Sequence, residues 1–480
     1  MFNVKFSGNT PRYLQLGYHI KSLILKGFLN PDSKLPSTRE LSSILGVSRN
    51  TTMMAYEYLE DEGVIYTKKN KGAFVSDIKI KDTLAFNIDY SNLISENAKI
   101  AEKLDIIKTE PKWKKGMISF KSISPDNELF DIEELKRSFL YRLSEEGSKL
   151  LNYGYAKGYD KLIKYLLDYM EKKGVCIEGK DILITNGFTE GFDIVLSTLT
   201  SKGDSIVCEN PTHNTALKIM KIHGLNIISV NMNFDGIDTK QLKDELKNNK
   251  IKLAYMIPSY HNPTGIVMSP EKRIEVYDIL RENDIPLIED GFNEELRYSG
   301  SHVTPMVSLS GEGNSVIYIG SFSKILYPGM RIGWILADKN LISTLESVKR
   351  SRNIHTSFLD QGILYEYLSN GYFEKYLKRT RKIYKEKYEF AIYCAEKYIP
   401  CSSILGQGGL YIYIKLKKAN ARKLLNLCYN EGVVFTPGDI FSNKDTEDKS
   451  FRLGFSRTSN EEIEKGFKII GKYIRILEGE

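Results

Sequence analysis

Apolar runs of strand length alternate with helical segments from about Met117 onward, and this rhythm constrains the fold more than any other feature. Seven such runs are spaced along the chain: Asp181–Thr185, Ser205–Glu209, Ile227–Val230, Lys252–Ile257, Pro286–Glu289, Val316–Ile319 and Ile332–Ala337. Because strands that alternate with helices are joined by crossover connections, the pattern predicts an α/β domain with a mainly parallel sheet. The chain of 480 residues is long enough to bury such a core without disulfides or structural metal.

Composition excludes several other classes of protein. Hydrophobic residues make up 41% of the chain and charged residues 27%, which excludes wholesale disorder and collagen-like structure. No apolar run approaches the ~20 residues that a membrane span needs, and the first residues, MFNVKFSGNTPRY, lack the apolar core of a signal peptide. Five cysteines without a C-x-x-C pair fit a reducing compartment. We therefore expect a cytoplasmic protein with no membrane partner and no metal.

The first 76 residues predict a separate small module. Leu16, Ile20 and Ile24 follow helical spacing, and Ser37-Thr-Arg-Glu40 is a capping box that starts a second helix. Ser48 can cap a third helix. Two short strands are then predicted around a Lys-rich tip. Three helices followed by a basic hairpin indicate a winged helix-turn-helix.

Charge is concentrated in the same module. Residues 1–76 carry +4 of the chain's formal net charge of +7. A basic surface of this kind indicates either a nucleic-acid partner or an ordinary solvated face, and charge alone does not distinguish them. In a winged helix-turn-helix the second helix of the pair enters the major groove and the wing follows the DNA backbone. The residues predicted to contact double-stranded DNA are Ser37, Arg39, Ser48, Arg49, Thr51, Lys69, Lys71 and Gly72.

Reactive side chains follow the predicted strands of the large domain. Ser321-Phe-Ser-Lys324 comes after one strand and is followed by Arg331. A Lys at the end of a buried strand can form a Schiff base, and hydroxyls with a nearby Arg suit a phosphate dianion. Taken singly, such a Lys is more often an exposed loop cation. Asp290 ends the preceding strand, where a carboxylate can pair with a pyridinium nitrogen or simply cap a helix.

Three further segments follow strands in the same way. Asn262, in Asn-Pro-Thr-Gly, can hydrogen-bond a phenolic oxygen or only form a turn. Gly187 opens a helix whose first N–H groups can bind phosphate, although a βα turn often has this sequence. His213 can stack on a planar ring, and as a single His it is more often a loop residue. The group of four strand-end segments indicates chemistry more strongly than any one of them.

The N-terminal strings LPSTREL and LGVSRNT, with PRYLQLGYHI and KGAFV, resemble the GntR-type winged helix over residues 10–76. The resemblance implies sequence-specific DNA binding. Thr52 stands where the family usually has an apolar Val. The wing has Asn70 and Ala73 in place of the usual Gly and Thr, which is expected to alter packing or wing contacts without removing the fold.

The strand-end motifs, SFSK-x-x-x-PGMR above all, resemble those of the fold-type I, aspartate-aminotransferase-like enzymes that use pyridoxal 5′-phosphate (PLP). The resemblance implies a seven-stranded, mainly parallel sheet with a small C-terminal α+β lobe. It implies that Lys324 carries the aldimine and that Asp290 contacts the pyridine nitrogen, these two being the catalytic residues. Arg452 matches the Arg that grips a substrate carboxylate. The remaining cofactor contacts implied are Asn262, Gly187, Phe188, Thr189, His213, Ser321, Ser323 and Arg331.

One position departs from the enzyme pattern. Phe292 stands where the family places a Tyr whose hydroxyl helps to hold the ring oxygen of PLP. Loss of that hydrogen bond is expected to raise the aldimine pKa or loosen the ring, and to slow the chemistry.

A GntR-type winged helix (residues 1–76), a linker (77–116) and an aminotransferase-like domain (117–480) form the layout of the MocR/GabR group of bacterial regulators. This resemblance implies a PLP-dependent transcription regulator and a head-to-tail homodimer, in which the segment Asn152–Tyr155 supplies an aromatic hydroxyl to the other subunit's site. The effector would be PLP itself or a small amino or carboxylate compound. The alternative is a true aminotransferase with an auxiliary DNA-binding domain, so the extent of transaminase activity stays open.

Overall fold

The computed structural model describes residue 2 and residues 4–77, 88–291, 293–300, 303–444 and 446–479. The chain divides into two compact units, Met1–Ile94 and Ser95–Glu480. The division lies inside the segment 77–116 that the sequence predicts as a linker. Residues 95–116 pack as part of the larger unit.

The described part of the smaller unit contains the three helices and the hairpin that the sequence predicts. The elements are α1 (Arg12–Leu25), α2 (Thr38–Leu45), α3 (Arg49–Asp61), β1 (Ile65–Lys68) and β2 (Gly72–Val75), followed by a 3₁₀ turn at Tyr90–Leu93. The two strands pair antiparallel, from Ile65 opposite Val75 to Lys68 opposite Gly72. This is the order of elements in a winged helix-turn-helix.

Capping side chains set the ends of α2 and α3. The Oγ atom of Ser37 accepts a hydrogen bond from the Glu40 N–H (3.2 Å), and the Glu40 carboxylate accepts one from the Ser37 N–H (3.3 Å). Gly46, with φ of +63°, ends α2 in the left-handed conformation. Ser48 then caps α3 by accepting a hydrogen bond from the Thr51 N–H (3.1 Å). The turn between the two helices is therefore held at both of its ends.

The core of the smaller unit lies between its three helices. Leu16, Ile20 and Leu41 are fully buried in it. Thr52, where the family usually has Val, is also fully buried, and its hydroxyl donates to the Thr38 carbonyl oxygen at 3.0 Å. Because this hydroxyl has a partner, the departure leaves no unsatisfied polar group in the core and adds a link between α2 and α3.

The larger unit is built around one sheet with one strand more than the sequence predicts. Its strands run in the order β4-β11-β10-β9-β8-β5-β6-β7. The strands of the unit are β3 (Ile118–Ser119), β4 (Lys180–Thr185), β5 (Ser205–Asn210), β6 (Asn226–Asn233), β7 (Gly236–Ile237), β8 (Ile251–Met256), β9 (Leu287–Asp290), β10 (Val316–Ser321), β11 (Gly333–Asp338), β12 (Ser403–Leu405), β13 (Tyr411–Lys415), β14 (Val433–Val434), β15 (Thr436–Pro437) and β16 (Ser450–Gly454).

The prediction of seven strands was wrong in number, because the sheet contains all seven predicted strands and, in addition, the edge strand β7. This strand has two residues and pairs antiparallel with the end of β6, where Met232 lies opposite Ile237. Two residues are too few to show a period of two in sequence. The central pairs β10-β9, β9-β8, β8-β5 and β5-β6 are parallel, and β11 runs antiparallel to both of its neighbours. The sheet is therefore mainly parallel, as predicted.

Helices cover both faces of this sheet. In β4, Ile182 and Ile184 pack into one core while Leu183 packs into the other. A strand buried on both faces has a continuous apolar sequence, and this is the pattern that the chain shows. The helices of the unit are α4 (Glu96–Lys103), α5 (Ile106–Thr109), α6 (Ile132–Glu146), α7 (Ser148–Leu151), α8 (Asp160–Lys172), α9 (Phe188–Leu199), α10 (Asn214–Ile222), α11 (Thr239–Asn248), α12 (Pro270–Glu282), α13 (Lys339–Arg350), α14 (Phe358–Ser369), α15 (Tyr372–Tyr398), α16 (Ala421–Asn430) and α17 (Asn460–Glu478).

A small lobe follows at the C-terminal end. Its sheet has the order β12-β13-β16-β15, and residues of α15, α16 and α17 share its core. This is the C-terminal α+β lobe that the resemblance implies. Arg452 lies on β16, so the lobe places this side chain beside the main sheet.

Candidate functional site

The carboxyl ends of four strands of the main sheet carry the predicted reactive segments. Gly187 follows β4, Asn262 follows β8, Asp290 ends β9, and Lys324 follows β10. Parallel strands end at the same edge of a sheet, so the fold gathers side chains that are far apart in sequence. These four segments form one candidate site.

One side of the site is an arrangement of donors around the start of α9. The Nη2 atom of Arg331 donates to the carbonyl oxygen of Asn186 (3.1 Å), and its Nη1 atom donates to the Oγ atom of Ser323 (3.3 Å). The Ser323 N–H donates to the Oγ atom of Ser321 at 3.2 Å. A guanidinium, hydroxyls and the first N–H groups of a helix are the donors that suit a phosphate.

Gly187 allows these groups to come close together. Its φ is +78°, and a Cβ added there would lie 2.9 Å from the Nη2 atom of Arg331. A Cβ on Gly333 would lie 2.7 Å from the Cα atom of Gly187. Arg331 itself has a φ of +54°, which is unusual for a residue other than Gly and is typical of a strained functional site.

We expect the substitution Gly187→Ala to weaken PLP binding by about tenfold or more. The added methyl displaces Arg331, and a lost charge-assisted hydrogen bond costs about 1.5–3 kcal/mol. Gly203→Ala is the matched control, since Gly203 also has a positive φ (+90°) but a Cβ there meets nothing within 4 Å. Fluorescence titration with PLP measures the affinity. Equal weakening in both variants would mean that backbone strain, not the Arg331 contact, causes the loss.

Asp290 is a buried carboxylate at the end of β9. It is 4% exposed, and the hydroxyl of Tyr255 donates to its Oδ2 atom at 2.9 Å. Burial raises the pKa of Asp290 to about 8, and the nearby carboxylates of Glu209 and Glu294 add to this rise. A cationic N–H group placed against this carboxylate would relieve the cost of its burial. This is the environment that a protonated pyridine nitrogen requires.

Arg452 and Asn262 meet although 190 positions separate them in sequence. The Nη1 atom of Arg452 donates to the Oδ1 atom of Asn262 at 2.6 Å. The guanidinium also lies 5.3 Å from the centre of the Tyr411 ring and 4.8 Å from that of Phe441. Burial lowers the pKa of Arg452 to about 10, so the group remains a cation at neutral pH.

Two donors in this pair are buried and have no hydrogen-bond partner among the described residues. They are the Nδ2 atom of Asn262 and the Nε atom of Arg452. Buried polar atoms without a partner are uncommon, and a bound ligand is one explanation for a pair of them at the edge of a sheet. The amide fits the ring oxygen of PLP, and the guanidinium fits a carboxylate. Together with the donors around Arg331 and the buried Asp290, these atoms show that the residues present fit PLP.

Lys324 lies within the influence of the same charged groups. Burial, and then the positive charges of Arg452, Arg331 and Arg457, lower the pKa of Lys324 to about 8. At pH 7.5 about a quarter of an amine with this pKa is neutral, against about one in a thousand at a pKa of 10.5. A neutral amine is the nucleophilic form, so the site favours attack by Lys324 on a carbonyl.

We expect the rate of PLP attachment to the apo-protein to rise with pH and to level off above about pH 9. The cause is the lowered pKa of Lys324, because its neutral fraction is nearly complete there. The growth of visible absorbance after mixing measures the rate. N-acetyl-lysine amide is the reference, and dividing by its rate removes the ionisation of PLP itself. Parallel profiles for protein and reference would contradict the prediction.

Two aromatic rings line the site next to Asp290. The ring centres of Phe188 and His213 lie 5.4 Å apart, and Phe188 lies 6.2 Å from Tyr255. Burial, with the charges of Arg452 and Lys324, lowers the pKa of His213 to about 3. The imidazole is therefore neutral at physiological pH, which suits stacking on a planar ring.

The structure also places the remaining predicted cofactor contacts. Thr189 is exposed in the first turn of α9, where its N–H and hydroxyl can face an incoming anion. Phe292 lies outside the described residues. Sequence reasoning missed Tyr255, Tyr411 and Phe441 as parts of the site. The position of Tyr255 near the carboxyl end of β8 was a usable signal, whereas the other two lie in the C-terminal half without a recognisable motif.

The predicted DNA contacts divide into capping and exposed residues. Ser37 and Ser48 cap helices, and the hydroxyls of Ser48 and Thr51 share a hydrogen bond of 2.8 Å. Arg39 and Arg49 are exposed near the starts of α2 and α3. The residues of the wing, Lys69, Lys71 and Gly72, are exposed as well. The start of α3 therefore presents a cation where a recognition helix contacts base edges.

Asn70 and Gly72 shape the tip of the wing. Asn70 has a φ of +63° and Gly72 a φ of +100°. Asn adopts the left-handed conformation more readily than most residues other than Gly. The replacement of the family's Gly by Asn70 therefore keeps the turn.

No described helix combines the length and apolar character needed to cross a membrane. Among the residues that the structure describes, no group of three or more His, Cys, Asp and Glu side chains could hold a metal ion.

Comparison with known proteins identifies both units. Residues 123–470 match the family described as aminotransferase class I and II, and residues 12–75 match the bacterial regulatory proteins of the gntR family. Aromatic-amino-acid aminotransferase 1 of Thermococcus litoralis is 30% identical over 83% of this chain and 98% of its own length. The uncharacterized HTH-type transcriptional regulator YisV of Bacillus subtilis is 27% identical over 98% of this chain and 97% of its own length.

A solved structure supports the fold of the larger unit. The multiple substrate aminotransferase of Thermococcus profundus superposes with a TM-score of 0.76 at 27% identity, covering 82% of this chain and 100% of that one. The chain therefore belongs to the PLP-dependent aminotransferase class I and II family and carries a gntR-family DNA-binding domain at its N-terminal end, the layout of the MocR/GabR group.

Proposed function

We propose that this protein is a transcription regulator whose DNA binding responds to PLP or to an amino compound that reacts with it. The observation that carries the proposal is the presence, in one chain, of a gntR-family winged helix and a site whose buried donors fit PLP. Full-length relatives with the same two parts are named as transcriptional regulators, among them YisV.

Each residue of the site has a proposed role in holding the cofactor. Arg331 and the hydroxyls beside it bind the phosphate, Asp290 binds the pyridine nitrogen, and the Nδ2 atom of Asn262 binds the ring oxygen. Lys324 would supply the primary amine that holds the cofactor through its carbonyl group. When bound, PLP supplies a carbonyl that reacts with primary amines and a ring that accepts electrons. His213 and Phe188 exclude water from one face of the ring.

The effector class follows from Arg452. Its buried Nε atom has no partner among the described residues, and a guanidinium binds a carboxylate through two parallel hydrogen bonds. A compound that carries both an amine and a carboxylate can therefore react with PLP through its amine while its carboxylate binds Arg452. We propose an amino acid or related amino compound as the effector, with PLP alone as the simpler form of the signal.

A head-to-tail homodimer is part of the proposal. The larger unit exposes an apolar groove of about 380 Å³ that is lined by Ile132, Phe139, Leu140 and Met330, among others. A large exposed apolar patch is typical of a protein interface. The nearby segment Asn152–Tyr155 carries two Tyr side chains that are 70% or more exposed, as expected for residues that complete a partner's site.

DNA binding with and without cofactor tests the proposal. Fluorescence anisotropy with a labelled duplex from the gene's own upstream region measures the affinity of apo-protein, PLP-loaded protein and PLP-loaded protein with amino acids. We expect specific binding whose affinity differs between these states, because a ligand shifts a conformational equilibrium only if it binds the two states differently. Absence of specific binding in every state would reject the regulator function.

A genuine aminotransferase is the second candidate, and one observation favours it. Lys324, Asp290, Asn262 and Arg452 match residues that transamination uses, whereas Phe292, in place of the family's Tyr, counts against this candidate. Transamination between an amino acid and a keto acid at ordinary enzyme rates, ~1 s⁻¹ or more, would support the hypothesis that the protein is an aminotransferase. A third outcome would indicate a sensor of free PLP. In that case PLP changes the DNA affinity of the wild-type protein, amino acids do not change it, and Lys324→Ala abolishes the effect of PLP.

A further inference from the structure

A second cavity lies in the larger unit, between the segment that follows residue 95 and the large domain. It has a volume of about 290 Å³. One wall is the segment from Lys103 to Glu110, which contains the end of α4 and all of α5. The other walls are one side of α10, the start of α16, and the 3₁₀ turn at Gly438–Phe441 with the following residue, Ser442. No part of the proposed cofactor binding uses this space.

Positive charge dominates the cavity wall. Lys103 of α4 and Lys218 and Lys221 of α10 line it, and none of the three forms an ion pair with a carboxylate among the described residues. Lys218 and Lys221 are three positions apart on one helix, so they face the same side. The cavity thus gathers three ammonium groups.

The two carboxylates in the wall are already engaged by a fourth cation. Arg422 donates to Glu110 at 2.6 Å and to Asp439 at 2.7 Å. The two carboxylates exceed the charge of Arg422 by one, and they form no ion pair with the lysines among the described residues. The four cations and two carboxylates leave the cavity wall with a net positive charge. The charge of the lysines is therefore only partly compensated beside a space of ligand size.

Lys221 shows the electrostatic cost of this arrangement. Burial lowers the pKa of Lys221, and the positive charge of Lys103 lowers it further. No carboxylate acts in the opposite direction on this group. An anion in the cavity would relieve both effects, because an opposite charge within a few ångströms favours the charged form of an amine.

The cavity shares two of its wall segments with the candidate cofactor site. Helix α10 begins directly after His213, whose ring lies against Phe188 in that site. The 3₁₀ turn contains Phe441, whose ring lies 4.8 Å from the guanidinium of Arg452. The two segments are joined by a hydrogen bond of 2.8 Å from the Thr212 N–H to the carbonyl oxygen of Phe441. These shared segments connect the cavity to the candidate cofactor site.

We propose that this cavity is a second ligand site, which binds a small dianion through Lys103, Lys218 and Lys221 and is coupled to the cofactor site through His213 and Phe441. The ligand class is a phosphate monoester or a dicarboxylate, since both present two negative charges at a size that the cavity admits. Three ammonium groups act as point charges and do not select between these two geometries.

Calorimetric titration of the PLP-loaded full chain tests the proposal. PLP occupies the phosphate donors around Arg331, so added phosphate does not bind there. The probes are inorganic phosphate, succinate and, as a monoanion, acetate, all at one ionic strength. We expect saturable binding of at least one dianion, no saturable binding of acetate, and at least tenfold weaker dianion binding in the double variant Lys218→Gln/Lys221→Gln. The probe that binds identifies the source of the dianion as phosphate or dicarboxylate.

Two control variants make the outcome decisive. Lys247→Gln, on the exposed end of α11, removes one positive charge away from the cavity wall and is expected to leave binding unchanged. Lys103→Gln, on α4, is expected to weaken binding partially and does not alter α10. Dianion binding that survives the double variant would place the ligand elsewhere, for example at Arg452. Absence of saturable binding by either dianion at millimolar concentrations would also overturn the proposal.

The coupling has its own readout. We expect the visible circular dichroism of bound PLP to change as the dianion saturates the wild-type protein and to stay constant in the double variant. Dianion binding without any such change would reject the coupling. If Lys218→Gln/Lys221→Gln lost operator affinity but kept dianion binding, the two lysines would contribute to DNA binding and not to a dianion site.

Discussion

Replacement of Lys324 by Ala is expected to abolish the visible absorbance of bound PLP. Lys324 follows β10 in a half-buried position, where its pKa is lowered to about 8 and its amine is the available nucleophile. Without this amine no covalent bond to the cofactor forms, and PLP is held only by Arg331, Asp290 and Asn262. We therefore expect complete loss of the protein-bound absorbance band after desalting and faster release of PLP.

Lys339→Ala is the matched control for this variant. Lys339 is an exposed lysine at the start of α13, outside the site, and its replacement is expected to leave the absorbance unchanged. Mass spectrometry after borohydride reduction gives an independent measurement, since reduction fixes PLP to the lysine that carries it. Attachment that persists in Lys324→Ala would assign the cofactor to another lysine and would contradict the proposed site.

The sequence was sufficient to predict which segments meet at this site. Gly187, Asn262, Asp290 and Lys324 each follow a strand, and strands of a parallel sheet end at one edge. This rule depends on strand order and direction, not on exact boundaries. The observed bounds of β9, Leu287–Asp290, differ by one residue from the expected Pro286–Glu289, but Asp290 still lies at the carboxyl end of the strand.

Contacts between distant segments could not be predicted in the same way. The hydrogen bond from Arg452 to Asn262 depends on how the C-terminal lobe sits against the main sheet, and no local pattern encodes that placement. The hydroxyl of Tyr255 reaches Asp290 from a neighbouring strand, which requires the register of β8 against β9. The charges around Lys324 are a consequence of such contacts, so its lowered pKa is a property of the fold and not of its sequence motif.

The segment after residue 95 shows a second limit. Its polar sequence predicts a linker, yet α4 packs beside α10, and Glu110 is buried in an ion pair with Arg422. This ion pair joins the segment to the start of α16. A hydrophobic pattern cannot reveal an element that is fixed by a partner 312 positions away.

Replacement of Arg49 by Ala is expected to weaken operator binding by about ten- to hundredfold while leaving PLP loading unchanged. Arg49 is exposed at the first position of α3, and the N-terminal residues of a recognition helix contact base edges. Bidentate contact of Arg with a guanine is the commonest specific contact in the major groove. Anisotropy titrations on the operator and on a scrambled duplex measure the two affinities, and the difference between them should shrink in the variant.

Two further substitutions in the same unit separate recognition from folding and from general charge. Ser48→Ala removes the hydroxyl that caps α3 and is expected to lower the stability of the helix by about 1 kcal/mol, with a smaller effect on specificity than Arg49→Ala. Lys71→Ala removes an exposed wing cation and is expected to weaken operator and scrambled duplex alike, with a salt dependence reduced by about one phosphate contact. If Arg49→Ala lowered the melting temperature of the protein together with its DNA affinity, Arg49 would be a structural residue. If it weakened binding to both duplexes equally, Arg49 would contact the DNA backbone. In either case α3 would recognise the operator through other side chains.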